Sequence, residues 1–333
     1  MRPFAYERAD DVGRASELAA AGGGAHLLLA GGTTVLDLMK LDVLAPDKLV
    51  DINGLAAEHG AISADADGLR LGALVRMADA AEHPVVNTEY PVIAQSLKLA
   101  ASEQLRHVAS LGGNVLQRTR CGYFRDTRWP ACNKRAPGSG CAALEGNTRQ
   151  HAVLGVGEGC IATYAGDFAQ ALIALDATVD TVREGQARTL RFAELHTGPE
   201  QPHRETTLAP GEVITGFTVP AGPWTRRSKY LKIRDRQSYE FALASAAVAL
   251  DLDDEERVRT ARVALGGVAY RPWRAREAEA QLEGAVLDEA SAARAADAAF
   301  ADARARAGNA YKISLGRATL IRALLETKSL AIA

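Results

Sequence analysis

The 333-residue sequence lacks three features that would place it in a specialised class of protein. Its formal net charge is only −2, so the basic stripe of a nucleic-acid-binding protein is not expected. No apolar run approaches the roughly 18 residues of a membrane-spanning helix. The opening residues, MRPFAYERADD, lack the apolar core of a secretory signal. We therefore expect a chain that is cytoplasmic, or periplasmic only if exported with a signal-bearing partner.

Several catalytic signatures are also missing. The sequence has no G-K-[ST] phosphate loop, no H-E-x-x-H metal motif and no G-x-S-x-G nucleophile elbow. Its seven histidines are scattered, and each is interpreted as an ordinary surface or capping histidine. With 47% hydrophobic and 24% charged residues, the composition is that of a globular protein. The length favours two domains.

The stretch HLLLAGGTTVLDLMK at positions 26–40 predicts a strand, a tight turn and a helix. Gly31 and Gly32 would form the turn, because adjacent glycines permit a positive φ and leave room for a ligand to approach. Thr33 or Thr34 is predicted to cap the helix, whose free N–H groups are suited to a pyrophosphate. A purely structural glycine turn is the alternative, since short glycine-rich loops are weak signals.

A second glycine turn is predicted at SLGGN, positions 110–114. It lies far from the first turn in sequence, and two such turns suggest that both line one elongated ligand. An ordinary structural turn is again the alternative, because glycine turns are frequent in proteins that mix helices and strands.

Residues 117–150 have no hydrophobic periodicity and few aliphatic side chains, which in a compact domain indicates a functional or disordered segment. All four cysteines lie between positions 121 and 160, three of them in this segment. Paired C-x₂₋₄-C zinc knuckles and a redox C-x-x-C are absent, and disulfides are not expected without a signal. From the spacing alone, three interpretations stay open: four thiolates on an iron–sulfur cluster, a zinc site, or small buried hydrophobic residues.

The remaining pattern predicts an α+β chain. Strands are predicted at 152–156 and 160–163, and a helix at 167–176. Proline and glycine are frequent at 198–223, which is interpreted as a domain boundary, and a further α+β domain follows.

Four segments, in the same order along the chain, resemble the flavin subunit of the xanthine oxidase family of molybdenum hydroxylases. They are AGGTTVLDLMKLDV with KLVDINGL at 30–55, SLGGNVLQRTRC at 110–121, YLKIRDRQSYEFALASAAVAL at 230–250 and RVALGGVAYRPWRA at 262–275. The segment CNKRAPGSGCAALEG, with Cys121 and Cys160, resembles the aldehyde oxidoreductase branch, whose flavin subunit carries an extra [4Fe–4S] cluster. Thr34 and Ser110 depart from the residues that are frequent in the family, and both remain polar.

The resemblance implies a two-part FAD-binding domain of the vanillyl-alcohol oxidase type at 1–223, followed by a small α+β domain at 224–333. The two parts would be about 1–55 and 56–223, with a cysteine-rich iron–sulfur loop at 117–150. The implied FAD-binding residues are Leu29, Ala30, Gly31, Gly32, Thr33, Thr34, Val35, Ser110, Gly113, Asn114, Asp167 and Lys232. The implied cluster ligands are Cys121, Cys132, Cys141 and Cys160.

The function that the resemblance implies is electron transfer, with no catalytic residue in this chain. Substrate would be hydroxylated on a partner subunit with the molybdenum cofactor, and electrons would pass through a partner with [2Fe–2S] clusters to the FAD and then to an external acceptor. Two rival functions are a zinc-stapled scaffold without enzymatic activity and a free-standing flavin oxidase that acts on its own substrate.

Overall fold

The computed structural model describes residues 1–332. The first part of the chain forms a three-stranded parallel sheet. Its strands are β1 (Ala5–Arg8), β2 (His26–Leu29) and β3 (Lys48–Asp51), with β3 in the centre. Helices α1 (Val12–Ala21) and α2 (Val35–Lys40) connect the strands, because parallel neighbours need a crossover. The strand, glycine turn and helix predicted at 26–40 are confirmed.

The second part of the chain is built around a five-stranded antiparallel sheet. In chain order its strands are β4 (Ile62–Ala64), β5 (Gly68–Gly72), β6 (Thr178–Arg183), β7 (Gln186–Arg191) and β8 (Val213–Pro220). In space they follow the order β4-β5-β8-β6-β7. The last strand in sequence is therefore the central strand of the sheet.

Short helices surround this sheet. They are α3 (Ala56–His59), α4 (Met77–Glu82), α5 (Pro84–Glu89), α6 (Pro91–Lys98), α7 (Glu103–Arg106), α8 (Leu111–Val115), α9 (Gly122–Arg125) and α10 (Phe168–Ala174). Single 3₁₀ turns occur at Asn53–Leu55, Ala142–Leu144 and Phe192–Glu194. Helix α10 is buried along its whole length, and Phe168 meets Phe217 of β8 edge-on at 5.9 Å between ring centroids. This helix is therefore central to the largest core.

A four-stranded antiparallel sheet and three helices complete the fold. The strands are β9 (Ser228–Ile233), β10 (Ala244–Leu252), β11 (Val258–Gly266) and β12 (Trp273–Arg274), and the helices are α11 (Arg276–Leu282), α12 (Glu289–Ala299) and α13 (Tyr311–Lys328). Residues 244–250 of β10 are buried on both faces, because α6 and α10 cover one side of the sheet and α13 the other. No helix within residues 1–332 is long and apolar enough to cross a membrane.

Two local predictions were wrong. The turn expected at 110–114 is the start of helix α8, because the hydroxyl of Ser110 caps it by accepting a hydrogen bond from the Gly113 N–H at 3.2 Å. The strands expected at 152–156 and 160–163 are reduced to isolated bridges, since Gly155 at φ +59° and two further glycines interrupt the extended backbone. In addition, no strand was predicted at 198–223, where proline and glycine are frequent, and strand β8 lies there.

Candidate functional site

The two glycine segments meet through their backbones. A Cβ atom on Gly31 would lie 2.1 Å from the carbonyl oxygen of Val108, so only glycine permits this approach. Gly32 adopts φ +71°, a conformation that side chains other than glycine rarely take. Both glycines are thus required by the local backbone geometry.

A polar network holds the two segments together. The guanidinium of Arg76 donates to the Val108 carbonyl at 2.6 Å and to the side-chain oxygen of Asn53 at 2.9 Å. The amide of Asn53 in turn donates to the Ala30 carbonyl at 2.9 Å. Arg76 and Asn53 were not among the residues implied by the resemblance, although KLVDINGL, which contains Asn53, was part of it.

A cavity of about 150 Å³ lies where the segments meet. The implied residues that line it are Ala30, Gly31, Gly32, Thr33, Thr34, Val35, Ser110 and Gly113. Leu29 ends the adjoining strand β2. Thr34 occupies the position before helix α2, but its side chain makes no capping hydrogen bond, so the predicted threonine cap is not present at that residue.

A second cavity, of about 420 Å³, shares Thr33 and Thr34 with the first. Asn114 and Asp167 also line it. The side-chain oxygen of Asn114 is buried and has no hydrogen-bond partner among the described residues, while its amide group contacts the sulfur of Met77 at 3.3 Å. A buried acceptor without a partner is costly, and a ligand with an N–H or O–H group in this cavity would satisfy it.

Asp167 and Lys232 form an ion pair of 2.8 Å at the wall of the second cavity. Their side chains are only 5% and 1% exposed. Lys232 also donates to the Leu99 carbonyl at 2.9 Å, and Tyr230 donates to Asp167 at 2.7 Å. Burial, together with the Asp167 carboxylate, raises the pKa of Tyr230 well above its ordinary value. Asp167 lines the cavity, and Lys232 lies behind it as its buried partner.

The four cysteines converge. Cys132 and Cys141 face each other in an isolated antiparallel bridge, and Cys160 lies beside Cys141. Cys121 packs against the small apolar groups that contain Cys132 and Cys160. All four thiols are free. Residues that are widely separated in an irregular segment are therefore gathered in one place.

Their surroundings set the acidity of these thiols. Burial raises the pKa of Cys121 to about 11. The neighbouring thiol of Cys160 lowers the pKa of Cys141 to about 6, while the Cys141 thiol and burial raise the pKa of Cys160. Within residues 1–332, no three His, Cys, Asp or Glu side chains are arranged to hold a single metal ion. A four-iron cluster makes a different demand, because each of its four irons is bound by one thiolate.

Buried positive charge borders the cysteines. The ammonium of Lys134, whose side chain is 4% exposed, lies 2.6 Å from a carboxylate oxygen of Glu205 and 3.1 Å from the hydroxyl of Tyr270. Arg118 pairs with the other oxygen of Glu205. Burial alone would lower the pKa of Lys134, but the Glu205 carboxylate outweighs it and the pKa is raised. Lys134 therefore stays protonated and attracts negative charge at Cys160.

An ion-pair cluster joins the first glycine segment to the cysteine segment. Asp37, in α2, accepts from Arg125 at 2.7 Å and from Arg120 at 3.1 Å. Arg120 precedes Cys121 in sequence, and its guanidinium stacks on Phe241 at 4.8 Å. The second cavity is lined by Asp37, Arg120, Arg125 and Phe241. Cys121 directly follows Arg120, so the cysteines adjoin that cavity through Arg120.

His151 lies beside the cysteines, and the sequence patterns missed it. Its Nε2 atom is 3.2 Å from the sulfur of Cys121. Their separation along the chain follows no ligand spacing, so only the fold brings them together.

Two family models of known proteins match this chain, one in its N-terminal part and one in its C-terminal part. A family model described as the FAD binding domain in molybdopterin dehydrogenase matches residues 2–222, and one described as the CO dehydrogenase flavoprotein C-terminal domain matches residues 229–327. The chain belongs to the FAD-binding subunits of the molybdenum hydroxylase family. The aldehyde oxidoreductase FAD-binding subunit PaoB of Escherichia coli (strain K12) is 46% identical to it over 333 residues, which cover 99% of this chain and 100% of the relative.

Solved structures of other molybdenum hydroxylases share the fold. The carbon monoxide dehydrogenase of Hydrogenophaga pseudoflava superposes with a TM-score of 0.75 at 26% identity, covering 97% of this chain and 96% of that one. Quinoline 2-oxidoreductase from Pseudomonas putida 86 gives 0.76 at 23% identity, with 100% and 99% covered. The expected α+β fold and the expectation of an FAD-binding oxidoreductase subunit are confirmed.

Proposed function

We propose that this chain is the FAD- and [4Fe–4S]-carrying electron-transfer subunit of a heteromeric molybdenum hydroxylase that oxidises aldehydes. It receives electrons from partner subunits that hold [2Fe–2S] clusters and the molybdenum cofactor, and it passes them to an external acceptor. The observation that carries the proposal is the convergence of four free cysteines next to a cavity in a flavin-binding chain.

The residues around the two cavities fit FAD. Gly31 and Gly32 leave the backbone bare beside the start of α2, where a pyrophosphate would meet main-chain N–H groups. Ser110 and Gly113 line the same cavity, and the unsatisfied oxygen of Asn114 offers an acceptor to a ring N–H. We assign Leu29–Val35, Ser110, Gly113, Asn114 and Asp167 to FAD, with Lys232 supporting Asp167. When bound, FAD supplies a group that can take up electrons singly and deliver them in pairs.

The cysteine group fits a [4Fe–4S] cluster. Cys121, Cys132, Cys141 and Cys160 provide the four thiolates that such a cluster takes. Lys134 lies close enough to Cys160 to favour negative charge there, and the raised pKa values of Cys121 and Cys160 mean that metal binding would release protons. A cluster would also supply the ordering free energy that the irregular segment 117–150 cannot obtain from its few apolar residues.

The relatives support the partners and the domain division. PaoB is by name a subunit of an aldehyde oxidoreductase, and the carbon monoxide dehydrogenase relatives are named medium chains. We propose partner subunits of the [2Fe–2S] and molybdenum-cofactor types, and domains at 1–223 and 224–333. We propose that the complex works in the cytoplasm or in the periplasm.

Replacing each cysteine in turn by serine tests the cluster. Cys132→Ser is expected to lose iron and acid-labile sulfide and to make residues 117–150 sensitive to protease, because the cluster no longer ties the segment together. FAD is expected to stay bound, since the glycine segments lie outside this region. Ala136→Ser, an exposed change in the same segment, is the matched control. A wild-type chain prepared without air that contains no iron, or four cysteine variants that all keep four irons, would contradict the assignment.

Aldehyde oxidation by the isolated chain separates the proposed function from a free-standing oxidase. The chain alone should not bleach its flavin with aldehyde, because hydroxylation needs the molybdenum partner. Reduction should occur once both partner subunits are added. Direct bleaching of the isolated chain by aldehyde would support the oxidase instead.

A further inference from the structure

We propose that His151 is a positioning residue that raises the reduction potential of the cluster by donating a hydrogen bond to the sulfur of Cys121. The inference rests on the proposed function, because it requires Cys121 to be a cluster ligand. It assigns a role to a histidine that shares no sequence motif with the cysteines.

The two ring nitrogens of His151 lie in different surroundings. Nε2 lies 3.2 Å from the Cys121 sulfur, and Nδ1 is buried without a hydrogen-bond partner among the described residues. A neutral imidazole has one N–H donor and one acceptor nitrogen, and a metal-bound thiolate can only accept. The proton therefore belongs on Nε2, where it meets the sulfur, and Nδ1 carries the lone pair.

The hydrogen bond does not depend on the charge of the ring. The neutral tautomer with its proton on Nε2 and the imidazolium both present an N–H group to the sulfur. The buried ammonium of Lys312, which donates to the Gly267 carbonyl at 2.6 Å, is a further polar group of this region.

The C-terminal domain fixes the position of the ring. The fully buried amide of Asn309 donates to the carbonyls of His151 at 3.3 Å and of Ala152 at 3.0 Å. The N–H of Gly308 donates to the hydroxyl of Thr148 at 3.1 Å. The backbone on both sides of His151 is thus held by residues that precede α13.

The direction of the effect follows from charge. Reduction adds an electron to the cluster and increases the negative charge on its sulfur ligands, so an N–H donor stabilises the reduced state more than the oxidised state. A hydrogen bond to a charged group is stronger than one to a neutral group, so the strength of this bond differs between the two states. We expect removal of the donor to lower the equilibrium constant for one-electron reduction about tenfold, which corresponds to about 59 mV.

Redox titration of the full chain, loaded with iron and sulfide without air and followed by electron paramagnetic resonance, tests this. His151→Phe keeps a planar ring but has no N–H group, and the midpoint potential is expected to fall. His151→Gln keeps an N–H donor and should lie closer to the wild type. His203→Phe, an exposed histidine, is the matched control and should leave the potential unchanged. Four irons in His151→Phe with an unchanged potential would refute the role of His151 and leave the cluster itself intact.

If the His151→Phe variant does not bind iron, a measurement on the wild type tests the same hydrogen bond. With ¹⁵N-labelled histidine, electron–nuclear double resonance of the reduced cluster should detect a weak nitrogen coupling and an exchangeable proton. Absence of both signals on a loaded cluster would overturn the inference, as would a strong coupling that indicates direct iron ligation. A wild type without iron would instead remove the proposed function, and this inference with it.

Discussion

The carbonyl oxygen of Val108 occupies the space that a side chain on Gly31 would need, with only 2.1 Å left to an added Cβ atom. The same oxygen accepts a hydrogen bond from Arg76 at 2.6 Å, so it is not free to move aside. The two glycine segments are therefore in direct backbone contact, and the shape of the cavity between them depends on residue 31 having no side chain.

Gly31→Ala is expected to lower the FAD content of the purified chain substantially. The added methyl group must push Val108 away, which widens the junction of the two glycine segments. FAD released by denaturation, counted per chain, measures the effect. Gly122→Ala adds a methyl group where no atom lies within 4 Å and should keep FAD. Equal FAD in both variants would show that the junction does not shape the flavin site.

Gly32→Val should also lose FAD, for a conformational reason. Gly32 has φ +71°, and a left-handed backbone costs other residues about 1–2 kcal/mol, with β-branched side chains the least suited to it. An added Cβ would also press on Leu36 and Leu29 at 3.0 and 3.1 Å. Gly32→Asn, which tolerates this φ better, should retain more FAD than Gly32→Val. A folded valine variant with stoichiometric FAD would contradict the placement of the pyrophosphate.

Lys232→Met should destabilise the protein by about 3–5 kcal/mol, because it leaves the Asp167 carboxylate buried without a cation. Urea unfolding of the complete chain measures this loss. Lys229→Met, in the same strand, removes a partly exposed pair with Glu326 and should cost about 1 kcal/mol or less. The double variant Asp167→Asn/Lys232→Met should recover part of the stability. Similar losses for both lysines would argue against a special role for the buried pair.

Glu205→Gln should cost about 3–5 kcal/mol at neutral pH, since Lys134 and Arg118 then lose their shared carboxylate. Burial would raise the pKa of Glu205, but these two cations outweigh it and the pKa is lowered. A lowered carboxyl pKa gives stability that is present above the unfolded value and lost as the pH falls through the folded value. The difference from wild type should therefore shrink below about pH 4. Glu194→Gln, from an exposed pair with Arg191, is the control for urea unfolding across this range.

Local patterns in the sequence were sufficient to predict those elements whose conformation is determined by their own residues. The strand, turn and helix around Gly31 and Gly32 are one case, because apolar spacing and glycine act within a few residues. Strand β8 was missed because glycine and proline surround it and its pairing partners lie far away in sequence. The strands expected at 152–156 and 160–163 failed because the pattern of apolar residues did not weigh the glycines at 155, 157 and 159, which interrupt the extended backbone.

The candidate site likewise contains residues that the sequence reveals and residues that it does not. Its glycines and cysteines are visible in the sequence as motifs or as a cluster. His151 and Asn309 are not, because their roles arise only from the packing of residues 148–152 against the segment before α13. Arg76 belongs with them, since the Val108 carbonyl that it binds is defined by tertiary contact alone.

The central position of β8 has a consequence for synthesis on the ribosome. Strands β5 and β6 each need β8 as a neighbour, and β8 is the last of the five to be made. A nascent chain that has emerged only as far as residue 200 contains four of the five strands and lacks the central one. Strands β5 and β6 then each expose an unpaired edge. The flavin-binding half therefore cannot close until residue 220 has left the exit tunnel, and until then its open strands are the part of the chain most in need of a chaperone.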